Sequence, residues 1–522
     1  MTSSPLPSSV RPAAISPVAT ARQRLTDHLL GQVAADGSVR GRCASRALES
    51  ALVLALLRDS GLFPRQRAEI ARYLRHHPGA RGTLDRVLSN AALGLGPEAE
   101  NVWVLSWLDG FEHFTAPRKR LMFETILAVL GVLPYGHDVD PDAIKYRGFA
   151  SWVDLSLCSV RALHLAARGR GAPVEQAFLE ERLERGSTQQ VWEGNVLAHV
   201  LALTALHRLT PGHRLVREGL AAVLGCRNPD GGIPFITGLE IFCTATAGLA
   251  LTGSHADSTP PPTALGDYLA AHQQADGGWA YAEGVRQTDV DDTAYCLQFL
   301  QALAPQRHAA HIEAGTRYLL RVANRDGGFP TFLHGHASET AMTAGALTAL
   351  APRWEDHPGP AKASLEYLLM SQRPDGTFER SWSLSEANAV FRTLEALHHA
   401  EPRQSAAVRT QIGRATALAL GHLMTAQNSD GGWGQRASDP SDPISTSYAL
   451  LATRRWQSTP AHRQGIGYLL AQQRDDGGFS SRPDQAAPRP LPYDVPVLAD
   501  ICVLWALNQH SDIEVRRPYT GL

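Results

Sequence analysis

The chain has 522 residues, 44% of them hydrophobic, and a formal net charge of −2 from 49 basic and 51 acidic residues. This length exceeds one ordinary domain and suits two domains with sizeable cores. The balanced charge gives no electrostatic reason to expect nucleic acid as a partner. No run of 18 apolar residues occurs, so stable insertion into a membrane is not expected.

The N-terminal segment and the cysteines indicate a cytoplasmic protein. Residues 1–20 are rich in Ser, Pro and Ala and lack the basic start and apolar core of a signal peptide, so we interpret them as a flexible tail. The six cysteines are far apart and form no CxxC pair, which argues against a zinc ribbon or a redox motif. Buried free thiols in a reducing compartment are the expected state.

A short motif recurs along the chain. A helix end that contains Gln or Asn is followed by Asp-Gly and then an aromatic or apolar residue, as in YLAAHQQADGGW and YLLRVANRDGGF. Between these turns lie Ala/Leu-rich segments with apolar residues at helical spacing, and alternating strand patterns are scarce. The pattern predicts an all-α protein built from repeating helical hairpins. The motif aspartates of the later copies are Asp230, Asp276, Asp326, Asp375, Asp430 and Asp476.

A proline-rich break divides the chain into two halves. Residues 253–266 (GSHADSTPPPTALG) read as a linker between an N-terminal domain, 21–252, with degraded repeats, and a C-terminal domain, 267–522, with five clear copies. The large aromatic residues at the end of each motif occupy a fixed repeat position, so we interpret them as packing residues. They are Trp279, Phe329, Phe378, Trp433 and Phe479.

Three carboxylates are crowded at the start of one apolar helix of the C-terminal half. Asp289, Asp291 and Asp292 fall within four positions. Because like charges repel, at least one of these carboxyl groups must have a raised pKa and can act as a proton donor at neutral pH. One or two aspartates at a helix start are usually caps, and a calcium loop would need a closing Glu that this segment lacks. Three aspartates within four positions favour a catalytic acid.

The segment DVDDTA, preceded by QQADGGW and set among Q-x-x-DGGW repeats, resembles the class II terpene cyclases. These enzymes start cyclisation by protonating an alkene, and they include squalene–hopene cyclases and the copalyl, labdadienyl and drimenyl diphosphate synthases. The resemblance covers most of residues 210–480. It implies two α/α barrels, called β and γ, with the active site between them and the first helix crossing into the other barrel. It assigns Asp291 as the general acid, with Asp289 and Asp292 orienting and tuning it.

The resemblance also bears on the substrate. Ionisation of the diphosphate needs a DDxxD and an NSE-type motif, and Asp291-Asp292 is followed by Thr-Ala-Tyr instead. With 7% aromatic residues, the chain looks closer to bacterial cyclases of prenyl diphosphates than to squalene cyclases. The resemblance implies that the product is a bicyclic labdane- or drimane-type diphosphate, formed from geranylgeranyl diphosphate in preference to farnesyl diphosphate. A separate class I terpene synthase or a phosphatase would use this product.

Two alternatives stay open at this point. One is a squalene- or meroterpenoid-type cyclase without a diphosphate requirement. The other is a noncatalytic α/α-barrel protein that binds isoprenoids.

Further site residues are weaker predictions. Trp382 and Tyr493 lie outside the repeat register and are candidates for the cavity wall. Arg286 and Arg380 are candidates for binding diphosphate, which suits the planar guanidinium, although a solvated arginine is commoner.

Other features of the N-terminal half are open to two interpretations. The basic triplet Arg118-Lys119-Arg120 is compatible with a phosphate-binding group and equally with a solvated surface of a helix. Magnesium is implied by the resemblance, and its ligands, with Glu49 and Glu193 as candidates, cannot be placed from spacing. The N-terminal repeat reads DGSVR where relatives often have DGSWG, which warns against transferring residue roles within this half.

Overall fold

The computed structural model describes residues 16–95, 113–185, 190–252, 263–456 and 459–510. This part of the chain is almost entirely helical, which confirms the predicted all-α class, and its one hairpin joins β1 (Gln485–Ala486) to β2 (Pro492–Tyr493). The helices of the N-terminal half are α1 (Pro17–Leu30), α2 (Ala47–Ser60), α3 (Pro64–His76), α4 (Leu84–Leu93), α5 (Ala116–Val129), α6 (Ser151–Ala167), α7 (Pro173–Arg185), α8 (Val196–Leu209) and α9 (Arg214–Gly225). Those of the C-terminal half are α10 (Glu240–Thr252), α11 (Thr263–Ala271), α12 (Val290–Leu303), α13 (Ala309–Val322), α14 (Thr340–Leu350), α15 (Pro358–Met370), α16 (Glu386–Ala400), α17 (Ala406–Ala426), α18 (Pro443–Thr453), α19 (Pro460–Gln472) and α20 (Val497–Asn508).

The C-terminal half forms a closed double ring of helices. The inner helices α10, α12, α14, α16, α18 and α20 each pack against the next, and α20 packs back against α10. The outer layer consists of α11, α13, α15, α17 and α19, and α1 completes it by packing against α19 and α20. The inner helices are buried on almost every side, which explains why their sequences are apolar all round.

Helices α2 to α9 form the other barrel. Within it α2 packs against α3, α4 and α8, while α6 packs against α5, α7 and α8. In this half too the most apolar helices, such as α8, lie innermost.

These contacts correct three of the predicted boundaries. Helix α10, assigned to the domain 21–252, belongs to the ring of the C-terminal barrel, because its apolar surface packs on α12 and α20. Helix α1 begins at Pro17, so the last residues assigned to the tail are helical, and α11 begins at Thr263, inside the predicted linker. Residues 1–15 of the tail and 253–262 of the linker lie outside the described residues.

The repeat turns owe their shape to a few backbone-directed contacts. In the turn before α12, the Asp276 carboxylate accepts the backbone N–H of Gly278 at 3.0 Å, while Gly277 has a φ of 89°. The Trp279 indole N–H donates to the Leu269 carbonyl at 2.7 Å. The aspartate-to-glycine bond recurs in later turns. All five motif aromatics are buried and lie outside the cavity described below, in agreement with their interpretation as packing residues.

Gly277→Ala is expected to lower the stability of the C-terminal barrel. The residue has a φ at which a side chain is strained, and an added Cβ would lie 2.5 Å from the Ala314 carbonyl oxygen. We expect a loss of roughly 1–3 kcal/mol, visible as a lower Tm in thermal unfolding. Gly421→Ala, in the middle of α17 with open space around the new Cβ, is the control and should leave Tm unchanged or raise it. Equal effects of the two substitutions would contradict this account.

Candidate active site

A cavity of about 210 Å³ lies between the two barrels. The first barrel contributes residues of α5 and α6, and the second contributes the start of α12, the segments before α14 and α16, and the β1–β2 hairpin. The lining is mainly apolar and aromatic, which suits a hydrocarbon chain and excludes water. Its aromatic side chains include Phe149, Trp152, Phe235, Phe242, Tyr281 and Phe332.

The aspartate cluster projects into this cavity from the N-terminus of α12. Asp289 is the N-cap residue, and its carboxylate accepts the backbone N–H of Asp292 at 2.8 Å. The backbone N–H of Val290 donates to the Thr331 carbonyl at 2.9 Å and ties the helix start to the next repeat. Asp289 and Asp292 are almost fully buried, whereas the Asp291 side chain is 14% exposed. All three carboxylates line the cavity, as the sequence pattern predicted.

The surroundings of the flanking carboxyl groups favour their protonated forms. Burial, with a smaller contribution from the neighbouring Asp291 charge, raises the pKa of Asp289 to about 7. Burial also raises the pKa of Asp292 well above its ordinary value, followed by repulsion from Asp289 and Asp291. The cluster therefore stores at least one proton inside an apolar cavity.

Asp289→Asn tests this electrostatic strain by its pH dependence. The folded-state pKa of Asp289 is about 7 against an ordinary 3.8, so the stability contributed by its neutral form is complete below about pH 4 and is lost as pH rises through 7. Asparagine copies the neutral form and keeps the capping oxygen. We expect the Tm advantage of the variant over the parent protein to grow between pH 5 and pH 8. For the control Asp267→Asn, at an exposed site, the Tm difference from the parent protein should not change with pH. If the Tm difference of Asp289→Asn did not change with pH either, the raised pKa would be contradicted.

Asp291 has a charged partner that the sequence pattern did not reveal. The Arg392 guanidinium on α16 lies 2.6 Å from its carboxylate and is itself 7% exposed. Although burial alone would lower the pKa of Arg392, the Asp291 carboxylate raises it, so the arginine is charged. Arg392 also covers the ring of Tyr295 at 4.9 Å. A positive charge at this position holds the Asp291 carboxylate in a fixed orientation.

The same cavity contains a group of basic side chains from α5. Arg118 and Lys119 both line it, and Arg118 lies over the Phe149 ring at 5.0 Å. Burial, followed by the positive charges of Arg489 and Arg118, lowers the pKa of Lys119 to about 6. A group of cations that lower one another's pKa favours a nearby anion, which would restore the proton on Lys119. Arg120, the third residue of the basic triplet, faces away and pairs with Glu124 on the surface.

Sequence comparisons identify the family of the chain. Residues 336–493 match the family model described as the squalene–hopene cyclase C-terminal domain. The chain is 44% identical over 522 aligned residues to a drimenyl diphosphate synthase from Streptantibioticus cattleyicolor, covering 95% of this chain and 96% of the relative. It is 43% identical to a drimenyl diphosphate synthase from Streptomyces showdoensis, covering 94% of each chain.

The chain is a class II terpene cyclase. Its fold agrees with that of ent-copalyl diphosphate synthase from Streptomyces platensis, with a TM-score of 0.58 at 20% identity over 94% of the cyclase and 99% of that chain. Among its described residues the cyclase has no helix that is long and apolar enough to cross a membrane.

The two aromatic residues proposed for the cavity wall of the cyclase do line the cavity. The Trp382 indole N–H donates to the Thr331 hydroxyl at 3.1 Å, and the Arg489 guanidinium covers the ring at 4.5 Å. Tyr493, on β2, packs against Phe235 with ring centres 5.1 Å apart.

The β1–β2 hairpin that carries Tyr493 is held by the first barrel. Arg46 donates to the carbonyls of Ala487 at 2.8 Å and Pro492 at 3.2 Å. The buried Glu49 carboxylate accepts two hydrogen bonds from the same guanidinium and fixes its orientation. This ion pair therefore positions one wall of the cavity.

The two arginines expected at the diphosphate do not line the cavity. Arg286 donates to the Arg185 carbonyl at 3.4 Å, and Arg380 donates to the Leu384 carbonyl at 3.1 Å, both away from the aspartates. Sequence position could not show this, because whether a loop arginine faces the cavity depends on the packing of two barrels. Arg118 and Lys119 take their place as the cationic residues of the cyclase cavity.

Of the two carboxylates considered for magnesium, Glu49 does not fit a metal site, because it is fully buried and both of its oxygens bond the Arg46 guanidinium. Glu193 accepts a hydrogen bond from the Ser151 hydroxyl at 2.5 Å. Within the described ranges, no group of three or more His, Cys, Asp or Glu side chains is arranged to hold a metal ion. Glu49 is therefore withdrawn as a ligand candidate, and Glu193 stays a prediction.

Proposed function

We propose that this cyclase protonates the terminal alkene of a linear prenyl diphosphate and releases a bicyclic diphosphate. The observation that carries the proposal is one mainly apolar cavity that is lined both by the carboxylate cluster, whose Asp291 pairs with Arg392, and by Arg118 and the buried Lys119. The carboxylates supply a proton, and the basic pair suits a diphosphate. A substrate with an alkene at one end and a diphosphate at the other satisfies both.

The reaction follows from the side chains present. Asp291 gives a proton to the CH carbon of the terminal alkene, the carbon that bears the two methyl groups becomes cationic, and two successive alkenes attack to close two rings. The aromatic faces of the lining stabilise the positive charge as it moves, and the mainly apolar surface of the cavity keeps water from ending the reaction early. The diphosphate stays on the product, because the chain lacks the DDxxD motif that ionisation would need.

Farnesyl diphosphate is the substrate that the relatives favour. Both full-length relatives are drimenyl diphosphate synthases, and the drimenyl group is a bicycle of 15 carbons. We therefore propose a drimane-type product in place of the labdane-type product that the sequence pattern favoured. The chemistry at Asp291 is the same for both chain lengths, so the motif could not decide between them.

We also propose that magnesium accompanies the diphosphate and that a phosphatase or a separate class I synthase uses the product. Mg²⁺ is commonly held by substrate phosphates with only one or two carboxylates, and it would neutralise charge that Arg118 and Lys119 leave uncompensated. A cytoplasmic location stays a prediction.

One experiment tests substrate, reaction and metal together. The purified protein is incubated with farnesyl diphosphate, geranylgeranyl diphosphate or squalene, each with magnesium and with EDTA, followed by phosphatase treatment and mass spectrometry. A bicyclic 15-carbon alcohol that appears only after phosphatase treatment, and only with magnesium, is the expected result. A hydrocarbon from squalene would overturn the diphosphate proposal, and a 20-carbon alcohol would overturn the chain length. Equal turnover in EDTA would overturn the role of magnesium.

Lys119→Met is expected to weaken substrate binding more than turnover. Loss of one charge-assisted contact to the diphosphate should raise KM by roughly tenfold, while kcat changes little. Lys119→Arg should restore most of the binding. The neighbouring Arg120→Met, on the surface of the same helix, is the matched control and should leave KM unchanged. An unaltered KM in Lys119→Met would remove Lys119 from the diphosphate site.

A further inference from the structure

We propose that Thr331 takes the proton that the bicyclic cation loses, and that Glu339, His113 and Glu379 pass it on to solvent. This inference rests on the proposed function and adds the final step of the reaction. The four residues form a continuous series of polar side chains from the cavity lining to the protein surface.

The inner end of this series is the Thr331 hydroxyl. Thr331 is buried in the cavity lining, accepts the Trp382 indole N–H at 3.1 Å, and donates its own proton to the Glu339 carboxylate at 2.5 Å. A hydroxyl has one proton and two lone pairs. Since the proton is committed to Glu339 and one lone pair to Trp382, the second lone pair is the acceptor that Thr331 can offer to a substrate C–H.

Glu339 is prepared to receive a proton through that hydroxyl. Although burial alone would raise it, the pKa of Glu339 is held well below its usual range, chiefly by Arg489, and also by the nearby His113 and by hydrogen bonds from Ser381 and Thr331. Ser381 donates at 2.5 Å, and Arg489 forms a buried ion pair with the same oxygen. The carboxylate is therefore ionised within reach of the cavity. A carbocation is acidic enough to give a proton even to so weak a base.

The step balances without any further reactant. A C–H bond next to the cationic carbon breaks, and its electron pair forms the new C=C bond. The proton goes to Oγ1 of Thr331 as the hydroxyl proton moves to Oε1 of Glu339. The product is a neutral bicyclic alkene that keeps its diphosphate, and Glu339 is left as a carboxylic acid beside Arg489, which favours rapid release of the proton.

At the outer end of the series, His113 lies between Glu339 and Glu379 and can carry the proton toward solvent. The shorter contact of His113 Nδ1 is the Thr115 hydroxyl at 2.6 Å, against 3.3 Å for the Thr115 backbone nitrogen. With its proton on Nδ1 and donated to that hydroxyl, the imidazole can accept a proton at Nε2. Nε2 lies 3.8 Å from the Glu339 carboxylate and 3.7 Å from that of Glu379, distances that a small side-chain rotation or one water can bridge. Nε2 takes the proton from Glu339, which makes the ring a cation, and then gives it to Glu379.

Glu379 connects the series to solvent. Its side chain is 28% exposed, so a proton that it receives can leave to water. Burial, followed by the Glu339 charge, raises its pKa to about 7, and the positive charges of Arg489, Arg373 and Lys119 oppose this increase. A carboxyl group with this pKa exchanges protons readily at neutral pH.

The position of the series agrees with the shorter substrate. The Thr331 hydroxyl bonds Glu339, and Glu339 pairs with Arg489, so Thr331 lies beside a cation of the cavity lining. In a farnesyl chain the last cation forms two bonds from the carbon that carries the diphosphate. In a geranylgeranyl chain the cation of the bicycle forms four bonds further from the carbon that carries the diphosphate than in a farnesyl chain. A base beside the diphosphate site can reach the first cation and not the second.

Thr331→Val is the test, because valine keeps the shape of threonine and removes the hydroxyl. We expect the parent protein to give one alkene, whereas the variant should give at least tenfold more of other alkene isomers, or of the tertiary alcohol formed when water adds to the cation and a proton is lost. The rate of substrate consumption should fall only a little, whereas the ratio of products should change at least tenfold. Thr331→Ser should restore the parent product.

The controls separate this role from a structural one. Thr316→Val removes a buried hydroxyl that bonds only within α13 and should lower Tm without changing products. Glu379→Gln should lower kcat with KM and product ratio unchanged. An unchanged product ratio in Thr331→Val, with the parent protein active, would overturn the inference. Lack of cyclisation by the parent protein would instead overturn the proposed function.

Discussion

Replacing Asp291 with asparagine is expected to lower kcat about 1,000-fold or more, with KM nearly unchanged. Protonation of an unactivated alkene needs a carboxylic acid at the reacting carbon, and an amide has no proton to give. The side chain is nearly the same size and remains in the cavity beside Arg392, so substrate binding should persist. Steady-state kinetics with farnesyl diphosphate, followed by detection of the dephosphorylated product, gives both constants.

The comparison for this substitution is Asp475→Asn. Asp475 is an exposed aspartate in a repeat turn outside the cavity, so its loss should leave kcat within twofold of the parent value. Asp291→Asn with more than a tenth of the parent activity would show that another group supplies the proton. Asp289 and Asp292 would then be the first alternatives, because both have raised pKa values and line the same cavity.

Replacing Arg392 with glutamine is expected to lower kcat roughly 100-fold with little change in KM. Without the guanidinium, Asp291 loses the contact that fixes its orientation. Because the Arg392 charge also opposes the raised pKa of Asp292, its removal should move the alkaline limb of the kcat–pH profile to higher pH. Arg392→Lys should recover part of the rate.

A matched control exists on the same helix. Glu395, one turn after Arg392 on α16, forms a partly buried ion pair with Arg454 that lies outside the catalytic cavity. Arg454→Gln removes one partner of this carboxylate and should lower Tm, although His399 remains 3.0 Å from Glu395. Its kcat and pH profile should stay as in the parent protein. If the two variants lowered kcat equally, Arg392 would have a structural role only.

The repeat is the feature that could be predicted best. Each copy carries the residues that shape its own turn. They are an aspartate that binds the glycine N–H two residues later, a glycine at positive φ and an aromatic residue that packs in the core. These interactions are local, so a sequence pattern is enough to recognise them. Boundaries were predicted less well, since α10 precedes the proline-rich break and yet belongs to the ring that follows it. A linker marks where the chain is polar, not which helices share a core.

Within the active site too, contacts between sequence neighbours could be predicted and contacts between distant helices could not. Asp289, Asp291 and Asp292 are neighbours in sequence, so their crowding and their place at a helix start could be inferred from spacing alone. Arg392 could not, because it reaches Asp291 only when the inner helices two repeats apart converge. A lone arginine within the apolar segment EANAVFRTLEAL was the available signal, and such a residue is equally expected to extend to the surface.

By itself the sequence determined that this protein is all-α, that it repeats helical hairpins, and that it has an aspartate cluster of the class II terpene cyclase type around Asp291. Only the tertiary structure decided that Arg118, Lys119 and Arg489 line the cavity in place of Arg286 and Arg380, and that Arg392 pairs with Asp291. It also decided that Thr331 and Glu339 connect the cavity to Glu379. The reason is physical: turns and caps are made by residues a few positions apart, whereas the cavity forms where two barrels meet and takes its residues from helices distant in sequence.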